Sequence, residues 1–150
     1  MKIRRKSREM ALQALFCMDT LGDDSEEMIQ ELCTLLEPQE KVRPFGLELV
    51  RGVVAKKAEI DGRLAETSSN WKLARMDYVD RNVIRIAVYE MLFCNDIPEK
   101  VAINEAIDIG KKYGTEKSGA FINGILDSIW QRYVHCNSKR SPECETDKSS

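Results

Sequence analysis

The sequence has little of what catalytic and metal sites require. Its 150 residues include a single histidine, His135, and five scattered cysteines without a CxxC pair. One imidazole leaves little room for histidine-based catalysis, and the cysteine pattern supports neither a disulfide framework nor a zinc site. The chain also lacks the phosphate-cradling GxGxxG and GxxxxGK[ST] motifs, HExxH and GxSxG. We therefore predict a protein that is not an enzyme and that binds no metal and no cofactor.

Long apolar runs are missing as well. No run approaches the ~18 residues that span a bilayer, and the N-terminus lacks the uninterrupted apolar stretch of a signal peptide. We therefore expect a cytoplasmic protein without membrane association. With 32% charged and 43% hydrophobic residues and a formal net charge of -2, the composition is typical of a globular protein. The length predicts a single domain.

The cysteines fall into two groups. Cys17, Cys33 and Cys94 lie within apolar helical patterns, where a thiol packs as a small hydrophobic group. Cys136 and Cys144 lie in a segment that mixes serine, proline and charged residues. We predict that residues 136–150 form a disordered tail after a domain spanning residues 1–135.

Apolar residues recur at spacings of three and four along almost the whole chain, and sustained alternation is absent. This periodicity is typical of helices, so the predicted fold class is all-α. Helices are predicted over residues 8–20, from residue 24, from residue 40, over 77–95, over 101–113 and from residue 118. Apolar side chains occur nearly all round segment 77–95, which predicts the central helix of a bundle.

Local signals predict how some of these helices begin and pack. Asp24, with Glu27 three positions on, is typical of a capping box. The second helix is expected to bury Met28, Leu32, Leu35 and Leu36. Ile60 and Leu64 either continue the third helix or form a fourth after a bend. TSSN, residues 67–70, is expected to end that region.

Two glycines lie inside predicted helices, at Gly52 and Gly124. A glycine in a helix interior costs up to ~1 kcal/mol relative to alanine. We therefore expect another backbone to approach closely at both positions.

Positive charge is concentrated at the N-terminus, ahead of the first acid, Glu9. The five cations there are Lys2, Arg4, Arg5, Lys6 and Arg8. Clustered cations bind a phosphate backbone by releasing counterions. They continue a helical strip that ends at Phe16, whose ring would stack on a base of single-stranded RNA if it is exposed. We expect a basic arm outside the bundle, and composition alone equally allows an inert tail with Phe16 in the core.

Five separated segments resemble the NusB family of bacterial transcription antitermination proteins. They are RRKSREMALQALF, LVRGV, VDRNVIRIAVYE, IPEKVAINEAIDIGKKYG and SGAFINGILD, in the family's order and spacing over about residues 3–130. The resemblance implies about seven helices in two packed helical subdomains. It also implies binding of the boxA element of ribosomal RNA leaders together with the ribosomal protein NusE. That complex would act on RNA polymerase and support ribosomal RNA transcription and processing.

The resemblance implies which residues contact RNA. The family's arginine-rich N-terminus falls on the cations named above, its RNA-facing aromatic, usually tyrosine, is Phe16 here, and the start of the last helix supplies the rest. The predicted RNA-binding residues are Lys2, Arg4, Arg5, Lys6, Arg8, Phe16, Lys117, Ser118, Phe121 and Asn123. Two of them have a structural alternative, because Ser118 is a good N-cap and Phe121 is a good core residue.

Three acids are assigned by the same resemblance. Asp80 matches an acidic position that pairs with a basic residue of NusE. Its alternative role is structural, as a first-turn carboxylate that caps the helix beginning at Asp77. Glu90 and Glu105 are family-typical acids within apolar helices. We assign both to structure, as partners of helix starts or of Arg85.

Three functions remain open at this point. The first is an RNA-binding antitermination adaptor, favoured because no catalytic domain or cofactor loop follows the helical segments. The second is a stand-alone module related to the N-terminal domain of ribosomal RNA cytosine methyltransferases. The third is a structural helical domain that self-associates, and a homodimer is compatible with each of them.

Overall fold

The computed structural model describes residues 2–37, 39–69, 71–72 and 76–135, and its regular structure over those residues is entirely helical. The helices are α1 (Lys2–Leu21), α2 (Glu26–Leu36), α3 (Arg43–Thr67), α4 (Tyr78–Phe93), α5 (Glu99–Tyr113) and α6 (Ser118–Ile129), and a π-helical segment (Trp130–His135) extends α6. The predicted all-α fold class is confirmed. The predicted tail, with Cys136 and Cys144, lies outside the described residues.

The first helix begins at Lys2 and not at residue 8. Contacts with distant residues hold its first turns in place. The Ser7 hydroxyl is fully buried and lies 2.7 Å from the carbonyl oxygen of Val42, and Arg5 and Arg8 bond carboxylates of α5 and α4. The expectation of an arm outside the bundle is therefore wrong. Apolar periodicity does not detect a helix start that polar contacts stabilise.

The N-cap of α2 is Ser25 and not Asp24. The Ser25 hydroxyl accepts the backbone N–H of Met28, and the carboxylate of Asp23 accepts the N–H of Ser25. The capping signal was present in the sequence, but the oxygen that caps comes from the neighbouring residue.

The buried face of α2 is also turned from the predicted one. Ile29 and Cys33 are its buried residues, while Leu35, predicted to point inward, is 73% exposed. The other three predicted positions, Met28, Leu32 and Leu36, are partly buried at the edge of the core.

The middle of the chain follows the predicted pattern. α3 runs unbroken for 25 residues, so that Ile60 and Leu64, both fully buried, continue it. α4 has buried residues on every side and is the central helix. Asp77 is its N-cap and accepts the N–H of Val79.

The turn between α5 and α6 differs from the prediction by one residue. The N-cap of α6 is Lys117, and Ser118 is the first helical residue. The buried Ser118 hydroxyl accepts the backbone N–H of Thr115 at 2.9 Å and so holds the turn that follows Gly114.

A close backbone does not account for either of the two helix-interior glycines among the described residues. A Cβ at Gly52 would collide with the ring of Tyr89, so an aromatic side chain accounts for this glycine. A Cβ at Gly124 would meet no atom of the described residues within 4 Å. The backbone-approach prediction is wrong at both positions, and no contact explains Gly124.

The helices pack in two groups of three. α1, α2 and α3 contact one another, as do α4, α5 and α6, and α1 and α3 both pack against α4 to join the groups. One continuous apolar core runs through both. Cys33 and Cys94 are buried in it and Cys17 is half-buried, which agrees with their predicted role as small apolar groups.

Candidate nucleic-acid interface

Arg8 lies in the core. Its Nε and Nη2 atoms donate to the two carboxylate oxygens of Glu90 at 2.7 and 2.9 Å, and the two side chains are 5% and 1% exposed. Burial raises the pKa of Glu90, while the Arg8 guanidinium opposes that rise. Arg8 therefore has a structural role, and the predicted phosphate contact is not open to it in this arrangement.

Arg5 and Arg4 are at the surface but also face carboxylates. Arg5 donates to both oxygens of Glu105 and, through Nη2, to Asp108 at 3.0 Å. These bonds from Arg5 hold the pKa of Glu105 below its usual value. Arg4 is more exposed, lies 3.4 Å from Asp96 and covers the ring of Phe45.

The three arginines thus meet four carboxylates, those of Glu90, Asp96, Glu105 and Asp108. The structural assignment of Glu90 and Glu105 is confirmed, but their partners are Arg8 and Arg5 and not Arg85, which pairs with Asp61. The arginine cluster carries no net positive charge. Lys6 is exposed on the outward side of α1, and Lys2 lies in its first turn.

Phe16 is 38% exposed, so it is not a core residue. Its ring and the ring of Tyr78, at the start of α4, are in a T-shaped arrangement with centroids 5.9 Å apart. Tyr78 is also exposed, and the guanidinium of Arg81 lies 4.3 Å from the centroid of the Tyr78 ring. A hydrogen bond to Asp19 holds that guanidinium in place. Sequence reasoning missed Tyr78, because its partner is 62 positions away in the chain.

The last turn of α5 brings further cations to this side of α1. Lys112 lies 3.2 Å from the carboxylate of Glu9, and the Tyr113 hydroxyl donates to the same group at 3.0 Å. The aliphatic part of Lys111 lies over Gly119, in the first turn of α6. The sequence signal for these lysines was GKKYG, since cations favour the C-terminal end of a helix.

The start of α6 exposes some of its predicted residues and buries others. Lys117 and Asn123 are exposed, and Phe121 is half-buried against the core. Ser118 is fully buried and bonded to Thr115, so direct contact with RNA is not open to it in this arrangement.

Asp80 lies in the first turn of α4, near the Ser118 hydroxyl. Burial raises the pKa of Asp80, and the Ser118 hydroxyl opposes that rise. Its Oδ1 atom is buried without a hydrogen-bond partner among the described residues. Asp80 therefore joins the starts of α4 and α6.

These contacts close a ring between the middle of α1 and the ends of α4, α5 and α6. Glu9 connects α1 to the end of α5, Lys111 connects that end to α6, Asp80 connects α6 to α4, and Tyr78 returns to α1 at Phe16. We call the exposed cations and aromatics around this ring the basic rim: Lys6, Phe16, Tyr78, Lys111, Lys112 and Lys117. Over the described residues, no cluster of potential ligands suits a metal ion, and no helix is long and apolar enough to cross a membrane.

Comparison with known proteins gives consistent matches over nearly the whole chain. The profile of the NusB family matches residues 5–131. The transcription antitermination protein NusB of Desulfatibacillum aliphaticivorans is 48% identical over 140 residues, which cover 93% of this chain and 96% of that protein.

Solved structures match to the same extent. NusB of T. maritima superposes with a TM-score of 0.78 at 39% identity, over 87% of this chain and 92% of its own. A crystal structure of the antitermination factors NusB and NusE in complex with dsRNA gives a TM-score of 0.78 at 28% identity, over 89% of this chain and 99% of that one.

Proposed function

Since this chain belongs to the NusB family of transcription antitermination proteins, we propose that it holds RNA on the basic rim. Its function is transcription antitermination, and it acts by binding and not by catalysis. The relative solved with NusE and dsRNA supports RNA and NusE as the two partners.

The observation that carries the proposal is the exposed pair Phe16 and Tyr78 beside the rim lysines. Both rings are partly open to solvent, with Phe16 38% and Tyr78 36% exposed, and base stacking contributes ~1 to 3 kcal/mol per base. Lysines around the rings attract phosphates as point charges. A stacking site needs unstacked bases, so the arrangement favours single-stranded RNA, and we propose boxA as that strand.

The rim revises the residues proposed to contact RNA. Lys6, Phe16 and Lys117 remain from the predicted set, while Tyr78, Lys111 and Lys112 join it. Arg4, Arg5, Phe121 and Asn123 are not part of the rim, and an RNA contact of Lys2 stays a prediction from the sequence. Arg8 and Ser118 act from inside, by fixing the helices that present the rim.

NusE is proposed to bind beside the rim, at Asp80. The carboxylate is in the first turn of α4 and is half-buried, and a cationic side chain of NusE would pair with its accessible part. The RNA and NusE would then be held on adjoining surfaces, and the complex would act on RNA polymerase in the cytoplasm.

The experiment is a titration with short boxA RNA and a scrambled control, with and without NusE, over a salt series. If the four rim lysines each neutralise one phosphate, log affinity falls with log salt at a slope of about -3, since a single strand contributes ~0.7 per phosphate. Lys111→Gln with Lys112→Gln should flatten the slope by about 1.4. The matched double change Lys41→Gln with Lys56→Gln, on the α3 side, should leave it unchanged.

Phe16 provides the second arm of this test. Phe16→Ala should weaken binding by ~1 to 3 kcal/mol without changing the salt slope, because stacking involves no counterions. Unchanged affinity in both the lysine and the Phe16 variants would refute the rim as the RNA site.

Self-association stays a prediction from the sequence. Sedimentation of the protein alone, over a range of concentrations, decides between a monomer and a homodimer.

A further inference from the structure

Two ion pairs join α1 and α5 along the line where the two helices meet, which we call the seam. The cation belongs to α1 in one pair and to α5 in the other. Arg5 of α1 donates to Asp108 of α5 at 3.0 Å, and Lys112 of α5 lies 3.2 Å from Glu9 of α1. A phosphate that reaches this part of the surface meets cations that already hold carboxylates of the protein.

The two carboxylates differ in how firmly they are held. Glu9 is 15% exposed and also accepts the Tyr113 hydroxyl, so two groups retain it. Asp108 is 56% exposed and bonds Arg5. Of the two, Asp108 is the one that solvent or a ligand displaces more easily.

Arg5 keeps its position without Asp108. Glu105 is only 13% exposed and accepts hydrogen bonds from Nε and from one N–H of Nη2. This two-point contact fixes the plane of the guanidinium. Asp108 accepts a hydrogen bond from the second N–H of Nη2, on the side that faces solvent. A phosphate oxygen placed there would accept the same hydrogen bond from a guanidinium that is already oriented.

We propose that Asp108 sets the affinity for RNA by competing with a phosphate for Arg5. The inference rests on the proposed RNA function and adds Arg5 to the basic rim once the carboxylate has moved. Glu105 is the positioning residue of this contact, and Asp108 is its competitor.

Asp108→Asn tests the proposal, with short boxA RNA as the probe. An exposed ion pair contributes up to ~1 kcal/mol, so removing the competitor should tighten binding by up to about fivefold. The salt slope should steepen by about 0.7, because one more phosphate is neutralised. Glu31→Gln, on the exposed face of α2, makes the same change of charge and should leave both quantities as in the wild type.

A double-mutant cycle with Arg5→Gln separates competition from a general effect of charge. With Arg5 removed, Asp108→Asn should no longer tighten binding. An equal gain with and without Arg5, or a gain equal to that of Glu31→Gln, overturns the proposal while RNA binding by the wild type still stands. A wild-type protein that binds no boxA RNA overturns the proposed function, and this inference with it.

Discussion

Neighbouring cations of one short segment have different roles because they point in different directions from α1. Arg8 faces the core and bonds Glu90, Arg5 lies at the seam with α5, and Lys6 points to solvent. Helical phase decides these roles, since each residue turns the side-chain direction by about 100°. A run of positive charge in a sequence therefore gives an upper limit on the cations available to a ligand.

The buried pair yields a stability prediction. Arg8→Met should lower the free energy of unfolding by about 3 to 5 kcal/mol, because Glu90 would remain buried without its partner. Urea unfolding measures the loss. Arg4→Met, at an exposed pair, should cost no more than about 1 kcal/mol. A double change to Arg8→Met with Glu90→Leu should recover most of the loss, and a double variant as unstable as the single one would contradict the account.

Glu105 yields a prediction of pH dependence. Its hydrogen bonds with Arg5 hold its folded-state pKa below the ordinary value of 4.5. The stabilisation is therefore fully present above about pH 4.5 and is lost as the pH falls through the lower folded-state pKa. The difference in unfolding free energy between wild type and Glu105→Gln should shrink as the pH falls below 4.5. A difference that is constant from pH 6 to pH 3 would contradict this pKa.

At the scale of the helices, apolar periodicity predicted the parts that apolar contacts build. α4 and α5 lie where the pattern placed them, since their buried apolar residues recur at helical spacing. The start of α1 was missed because its stabilising partners are distant in sequence, with Val42 35 positions from Ser7 and Glu90 82 positions from Arg8. The buried face of α2 was missed because apolar residues flank it on both sides, and only the packing against its neighbours selects Ile29 and Cys33.

The candidate site, like the helices, was predictable from the sequence only in part. Its exposed aromatic, Phe16, followed from the motif and the helical strip. Tyr78 and Lys112 did not, because they join the site through contacts with residues of α1 that are distant in sequence, and Lys111 joins it through its position over Gly119 of α6. Sequence spacing gives the faces of single helices, whereas the rim combines one face of α1 with the ends of α4, α5 and α6.

The interior glycines make a matched pair of variants. Gly124→Ala should raise the free energy of unfolding by up to ~1 kcal/mol, since alanine favours the helix and the new methyl group has no neighbour within 4 Å in the part of the chain that the structure describes. Gly52→Ala should lower it by about 1 to 3 kcal/mol, because the methyl group displaces the ring of Tyr89, which stacks on Phe93. Thermal unfolding measures both changes. Equal effects at the two positions would show that Tyr89 does not confine Gly52.

At the scale of the whole molecule, a net charge of -2 conceals two unlike surfaces. Residues 23–40, which include α2, contain seven acids and no lysine or arginine. The basic rim lies on α1, α4, α5 and α6, where Lys111, Lys112 and Lys117 are exposed. An acidic surface repels a phosphate backbone and a basic one attracts it, so the two surfaces orient RNA toward the rim.

Chemical-shift mapping of the isotope-labelled protein with boxA RNA tests this orientation most directly. The account predicts that backbone shifts change along the outward side of α1 from Lys6 to Phe16, in the last turn of α5 and in the first turns of α4 and α6. Shifts on the exposed face of α2 should stay unchanged. Changes concentrated on α2 or on the outer side of α3, with the rim unaffected, would contradict it.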